Sequence, residues 1–337
     1  MTNQPRGTIK KLINDPTKVV DEMLEGFVAA HSDIVSLVSP RVVARAEKAD
    51  GKVALAIGGG SGHEPAMLGY VGYGMADVAA IGNIFAAPSP DIILESLVQA
   101  DSGKGVVLTY GNYSGDVLNV RLAVQRAKAA GIEVRTVFVS DDVASAGPAE
   151  IDKRRGVAGD IIVFKTTGAA AEAGMPLDEV ERVARKANAS TRSMGVALTS
   201  AELPGVERPI FESGPGEMDV GMGAHGEPGI SREPLRSADE VGRLLIGHIL
   251  DDLACPAGSR TALLVNGFGA TPGLEQYLVY RAARGTLIDH GMSVERSYVG
   301  EFITTLQMAG LSTTVTVLDD ELLSLLDAPV RTARLVN

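Results

Sequence analysis

The sequence predicts an α/β protein of two domains, the first a largely parallel sheet with helices on both faces, the second a smaller α/β domain. Three observations carry this. The 337 residues exceed the roughly 250–300 at which a single hydrophobic core stops growing. Short apolar runs alternate with stretches of helical period, the spacing that joins neighbouring strands in parallel through crossover helices. Around residues 189–215 the alternation loosens into Ser, Thr, Pro and Gly (STRSMG, ELPGVERP, ESGPGE), which places a boundary there. The expected division is 1–190, 191–322 and a C-terminal tail at 323–337.

Taken in order, residues 17–31 have amphipathic helical spacing behind Asp15 and Pro16, a start signal. KVALAI at 52–57 is a short buried strand that Gly58, Gly59 and Gly60 are expected to break, and GVVLTY at 105–110 another, broken by Gly111 and Asn112. A helix follows at 117–130, stopped by Gly131. Asp116 at its start suits an N-cap, a role compatible with chemistry. Then come a strand at 132–139 and helices at 157–173 and 177–189. Past the boundary the pattern gives a strand at 217–222, a helix at 238–253, a strand at 261–265, a helix at 273–290, a strand at 311–318 and a short helix at 319–326. The acidic pairs Asp141-Asp142, Asp251-Asp252 and Asp319-Asp320 are expected to cap or flank helices and loops.

Composition narrows the function. The net charge is −11 with no basic stripe, and aromatic residues are only 4% with no Trp. Nucleic-acid binding is disfavoured, because phosphate neutralisation needs clustered Lys and Arg, and base stacking needs aromatic faces. No segment has the apolar length of a membrane span, and MTNQPRGTIKK lacks a signal-peptide core. The single Cys255 excludes an internal disulfide and fits a reducing cytoplasm.

Four glycine-rich loops follow apolar runs: GGGSGHEP at 58–65, GNYSGD at 111–116, GMGAHGEPG at 221–229 and NGFGATP at 266–272. In open parallel sheets ligands bind outside the carboxyl ends of the strands, and three of these loops carry His or Asp. GGGSGHEP lacks the Lys-Ser/Thr ending of a phosphate-binding P-loop, and His63 stands where a dinucleotide fingerprint from Gly58 needs glycine. His63 and His225 each sit among glycines with Glu-Pro just after, which leaves few side chains to pack on and favours close ligand approach. His248 and His290 read as structural residues on helix faces and His31 as a surface residue. No HExxH or Cys pair supports a metal site.

KKLINDP (10–16), GGGSGHEP (58–65), NYSGD (112–116), RRGV (154–157), HGEPG (225–229), Asn266 with GATP (269–272) and DAPV (327–330) together resemble the substrate-binding subunit of the dihydroxyacetone kinase family, in the same order and across essentially the whole chain. The resemblance implies a two-domain α/β protein that forms a homodimer. It implies that His225 adds to a ketone carbonyl to form a hemiaminal, that His63 accepts a proton from the substrate hydroxyl, and that Asp116 hydrogen-bonds the sugar and assists that base. Gly60, Ser61 and Gly62 line the sugar site. No cofactor is expected on this chain; Mg-ATP or Mg-ADP belongs to a separate helical nucleotide-binding subunit, and the donor is either ATP or a phosphotransferase-system relay. The pattern departs from the family at Gly111, where Lys is frequent, and at Ala87, where Ser is common. Both departures leave the identity of the ketose open, and Gly111 leads to the expectation that a four-carbon ketose such as erythrulose, or a branched relative, competes with or exceeds dihydroxyacetone. The competing expectation is a ketose-sensing paralogue that co-regulates transcription; relatives of that kind tend to lose the covalent histidine, and His225 is present.

Overall fold

The structure is a computed structural model that describes residues 10–206, 208–253 and 255–337. The leading residues read above for a signal segment lie mostly outside that range. The elements run α1 (Val19–Ala30), β1 (Val35–Ser39), β2 (Val42–Arg45), β3 (Ala54–Ser61), β4 (Gly72–Tyr73), β5 (Val78–Ile84), α2 (Pro90–Ala100), β6 (Val106–Gly111), α3 (Ser114–Ala129), β7 (Val134–Val139), α4 (Asp160–Glu172) and α5 (Leu177–Ala189). They continue with β8 (Thr191–Ala197), β9 (Glu217–Val220), β10 (Ser231–Pro234), α6 (Ala238–Leu253), β11 (Arg260–Gly267), α7 (Gly273–Asp289), β12 (Ser293–Gly300), β13 (Gly310–Leu318), α8 (Asp320–Asp327) and β14 (Arg331–Thr332).

The first sheet has the order β1-β2-β5-β3-β6-β7. β5, β3, β6 and β7 are parallel, and the β1-β2 hairpin adds an antiparallel edge. Its central strands are apolar on both faces, as a sheet covered by helices on both sides requires. In β3, Leu55 and Ile57 join the core shared with α1, α4 and α5, while Ala54 and Ala56 join the core under α2 and α3. The two-residue side-chain period of a strand thus places helices on both faces, as expected.

The second sheet has the order β10-β9-β8-β13-β11-β12 and is antiparallel except for β11 and β12. Helices α6 and α7 cover one face through Leu245, Ile246, Val279 and Ala283. On the other face Ala262 and Leu264 join the core of the first sheet. Helix α4 explains how: it is buried along almost its whole length and packs on both β3 and α8. The last residues return to the first sheet's side of the molecule, where β14 pairs with β4. No helix among the described residues is long and apolar enough to cross a membrane.

Four local expectations are corrected. STRSMG does not loosen the chain; Thr191–Ala197 is β8, an interior strand of the second sheet. Its polar side chains are paired: Thr191 with Thr316, and Ser193 with Thr314 and Asp141. Gly58, Gly59 and Gly60 do not break the strand but form its last turns of pleat within β3. Asp116 is not an N-cap: α3 starts at Ser114, Tyr113 holds the cap position, and Asp116 lies in the first turn. Of the acidic pairs, Asp319 caps α8 by accepting from Leu322 N, but Asp252 instead binds two buried arginines, Arg154 and Arg192.

Candidate active site

The chain leaves β3 toward β5 on one side and later returns to β6 on the other. The carboxyl ends of β3 and β6 therefore flank a topological switch point, where the outgoing loops part and leave a crevice. A cavity of about 60 Å³ lies there, lined by Gly58, Gly59, Gly60 and His63 from the first loop, Gly111, Tyr113 and Asp116 from the second, Asp160 at the start of α4, Phe85, and His225. Sites for drug-sized ligands measure roughly 300–1,000 Å³, so this one suits a few heavy atoms and no nucleotide. The glycines let the neighbouring chain pack against this backbone. A Cβ on Gly58 would sit 2.1 Å from the Tyr110 hydroxyl, and one on Gly60 2.8 Å from Ala86 N.

His225 arrives from the other sheet, on the loop between β9 and β10. Glu227 shapes that loop by accepting from His225 N at 2.9 Å through one oxygen and from His225 Nδ1 at 3.1 Å through the other. Arg155 anchors the root, donating to Gly221 O at 3.1 Å and to Asp142 at 2.8 Å. The imidazole is then boxed by Phe85, Tyr113 and His63, with ring centroids 5.0–5.1 Å away. His63 is held by the same junction. Its Nδ1 donates to Thr304 O at 2.7 Å, and its backbone carbonyl accepts from Thr304 N at 3.1 Å. Asn266 fixes the approach to Thr304 by accepting from Phe302 N and Ile303 N, both at 2.9 Å.

These contacts determine where the protons sit. A carbonyl oxygen only accepts, so His63 Nδ1 carries hydrogen and its Nε2, in the neutral ring, is a bare acceptor. His63 Nε2 lies 3.0 Å from His225 Nε2, so the proton between them comes from His225. Glu227 Oε1 lies 3.1 Å from His225 Nδ1, so His225 has an acceptor at each ring nitrogen. Burial, with the nearby charge of His225, pushes His63 down to about 4, which keeps it neutral. Burial alone would raise Glu227, but the hydrogen bonds and charge of His225 outweigh it and hold the carboxyl at about 2.

The opposite wall is acidic. Burial pushes Asp116 up to about 6, against the charge of His225. Asp160 is raised well above the usual carboxylate range by burial, then by Asp141 and Asp116. Each has a buried Oδ1 with no hydrogen-bond partner among the described residues. Buried polar atoms are satisfied in the large majority of cases, so two such oxygens on one cavity point to hydroxyl groups of a ligand.

The structure thus brings His63, His225, Asp116, Gly60 and Gly111 to one cavity. Ser61 and Gly62 are turned away: Ser61 Oγ donates to Gly82 O at 2.8 Å, and both line a neighbouring cavity beside Lys10 and Met23. His31 is partly buried at the end of α1, His248 is half-buried on α6, and His290 is exposed at the end of α7. Sequence reasoning missed Asp160, Phe85, Tyr113, Glu227 and Thr304. The Glu two residues after His225 was visible as a spacing; nothing in the sequence joins Thr304 to His63. Among the described residues no three His, Cys, Asp or Glu side chains are grouped to hold a metal ion.

Two helix-flanked sheets with paired imidazoles and carboxyls around one small cavity suit a protein that handles a short oxygenated metabolite. The chain belongs to the family of the Dak1 domain, which matches residues 25–334. It is 44% identical over 327 residues to the dihydroxyacetone-binding subunit DhaK of a phosphotransferase-system-dependent dihydroxyacetone kinase from Listeria innocua, covering 96% of this chain and 98% of that protein. It is 46% identical to an L-erythrulose 1-kinase from Mycolicibacterium smegmatis over 95% of this chain, which spans 57% of that longer protein. A solved dihydroxyacetone kinase operon co-activator superposes with a TM-score of 0.87 at 32% identity, covering 93% of this chain and 96% of that one.

Proposed function

We propose that the chain is the substrate-binding subunit of a short-chain ketose kinase, holding the ketose as a hemiaminal on His225 while a separate helical nucleotide-binding subunit delivers the phosphoryl group. The observation that carries this reading is the His63–His225 pair at 3.0 Å with Glu227 behind it. A small ketose offers little apolar area, so burial gives weak binding; a covalent bond fixes it and rejects the corresponding polyol, which has no carbonyl.

The step balances within this chain. The proton on His225 Nε2 passes to His63 Nε2, and His225 keeps its Nδ1 proton on Glu227. The freed Nε2 lone pair adds to the carbonyl carbon, the C=O π electrons move to oxygen, and the proton on His63 is delivered to that oxygen. His63 is neutral again and accepts the proton of the hydroxyl that is phosphorylated, with Asp116 hydrogen-bonded to the sugar. The donor, Mg-ATP or Mg-ADP serving an ATP or phosphotransferase-system route, stays on the partner, in keeping with a cavity of about 60 Å³.

The co-activator superposition shows that the fold is shared by kinase subunits and regulators. The adjoining histidine pair facing two carboxyls, each with a buried unpartnered oxygen among the described residues, favours catalysis, since sensing needs no proton relay. The reading further places the protein in the cytoplasm as a homodimer, with the two sheets as its two domains divided near residue 190. Intact-protein mass spectrometry after borohydride-free rapid quench, with dihydroxyacetone and with erythrulose, tests it: the native chain gains the mass of the ketose and His225→Ala does not. Equal adduct in both refutes the assignment.

A further inference from the structure

Asp160 is the first residue of α4, a place where a carboxylate ordinarily satisfies free backbone N–H groups. It does not do so here. Asp141 already binds that turn, accepting from Val157 N and Gly159 N, both at 2.8 Å, and from the Ser193 hydroxyl. Among the described residues no hydrogen bond or ion pair involves the Asp160 side chain, although the residue is 3% exposed. The carboxyl group lines the cavity together with Asp116, Gly111 and His225.

An unpaired buried carboxyl is costly for the folded chain, and apolar residues surround the rest of the α4 first turn. A side chain held at that cost in a ligand cavity is a residue kept for the ligand. Burial and the neighbouring Asp141 and Asp116 keep its proton on. A protonated carboxyl both donates and accepts, which is the complement of an alcohol. Gly111 in the same cavity contributes no side chain. With lysine there, an ammonium would stand beside both acids and occupy the space a longer substrate needs.

We infer that Asp160 is a specificity-determining residue: its carboxyl group hydrogen-bonds a hydroxyl on a carbon beyond the three of a triose, in the cavity it shares with Gly111, so that the site takes a four-carbon ketose. This rests on the ketose-binding reading above and deepens it. Asp116 remains with the reacting hydroxyl, and Asp160 reads the other end of the sugar.

The test measures binding of dihydroxyacetone and of D- and L-erythrulose to the full chain by calorimetry, in the native protein, Asp160→Ala and Asp160→Asn, with thermal melts of each ligand-free form. Asp160→Ala is expected to weaken binding of one erythrulose enantiomer by about five- to tenfold while dihydroxyacetone is held as before. Asp160→Asn, whose amide also donates and accepts, retains most of the erythrulose affinity. Asp160→Ala melts at or above the native temperature, because an unsatisfied carboxyl is removed, and Asp160→Asn melts near it, an amide standing where the carboxyl was. Equal loss for all sugars, no loss for any, or a lowered melting temperature in both variants overturns the inference and makes Asp160 a structural residue or a bystander. If the native chain binds dihydroxyacetone and no erythrulose, the inference fails and the ketose-binding reading stands; if it binds none of the sugars, that reading fails first.

Discussion

His63 Nε2 and His225 Nε2 meet at 3.0 Å across the junction of the two sheets, although 162 residues of chain separate them. On the proposed reading the contact makes His225 a poised but masked nucleophile. As long as its Nε2 donates to His63, no lone pair is available for a carbonyl. Unmasking requires His63 to take the proton, and the hydrogen bond from its Nδ1 to Thr304 O fixes the tautomer that can do so.

His63→Asn should therefore slow adduct formation by roughly a hundredfold to ten-thousandfold, the usual worth of a positioned acid–base group, and change the amount formed at equilibrium little. Time-resolved intact mass with dihydroxyacetone measures both. An unchanged rate removes His63 from the proton path.

Arg154 and Arg192 converge on Asp252, at 2.8 and 2.5 Å from the two Arg154 amino groups and 2.6 Å from Arg192 Nε. Arg154 is 1% exposed and also donates to Ala146 O. Asp252→Ala would leave two buried guanidinium groups facing each other, and breaking a buried pair costs about 3–5 kcal/mol. Chemical denaturation should show a loss of that order, with Asp252→Asn intermediate. The contribution has a sign in pH. The hydrogen bonds of Arg154 depress Asp252 below its ordinary value, so its stabilisation is present above the unfolded pKa, about 4, and is lost as pH falls through the lower folded value. The difference between native and Asp252→Asn should shrink in acid. RRGV in the sequence is thus a stability device through Arg154 and a loop anchor through Arg155.

Much of this was legible beforehand where local pattern and tertiary role agree. Helices α5 and α6 have the predicted limits because their apolar period and their buried faces coincide. The glycine loops located the site because a cavity against backbone needs missing Cβ atoms. Strand β8 was misread because its threonines and serines pack against other hydroxyls and Asp141 rather than against apolar neighbours, so it carries no apolar alternation. Asp160 was invisible because an acid at a helix start is the commonest harmless placement of an acid. Thr304 and His63 are joined by a backbone carbonyl, to which no residue type is a guide.

On the proposed reading Asp116 supplies the pH profile of turnover. Burial pushes its carboxyl up to about 6, and the ionised form, which only accepts, is the stronger acceptor for the sugar hydroxyl. With the folded pKa raised, the active form is present above pH 6 and lost below it, so kcat should fall about tenfold per unit on the acid side. His63, at about 4, stays an acceptor throughout that range. Assays with a nucleotide-binding partner between pH 5 and 8 should show the limb in the native chain and not in Asp116→Asn, whose residual rate is low and flat there. A limb that persists in Asp116→Asn belongs to another group.

Gly111 sets the last expectation, substrate choice by charge. Dihydroxyacetone kinase relatives often carry Lys at this point, and a Cβ placed on Gly111 meets Gly156 O and Tyr113 Cε2 at 3.3 Å, tight but relieved by shifts of a few tenths of an ångström. The backbone therefore accepts Gly111→Lys, and its ammonium enters a cavity whose wall holds Asp116 and Asp160 with no cation on either carboxyl's free oxygen. Two effects follow. The acids ionise against the new charge, which costs Asp160 its donor proton, and the side chain fills the room of a fourth carbon. A triose gains a charge-assisted hydrogen bond of about 1.5–3 kcal/mol, equivalent to roughly ten- to 150-fold in affinity. The ratio of kcat/KM for erythrulose to that for dihydroxyacetone, measured with one and the same partner, should fall by at least about tenfold from native to Gly111→Lys. A native chain that strongly prefers dihydroxyacetone, with a ratio unmoved by the substitution, would mean that water or a neighbouring side chain already fills the gap and that Gly111 has no part in choosing the sugar.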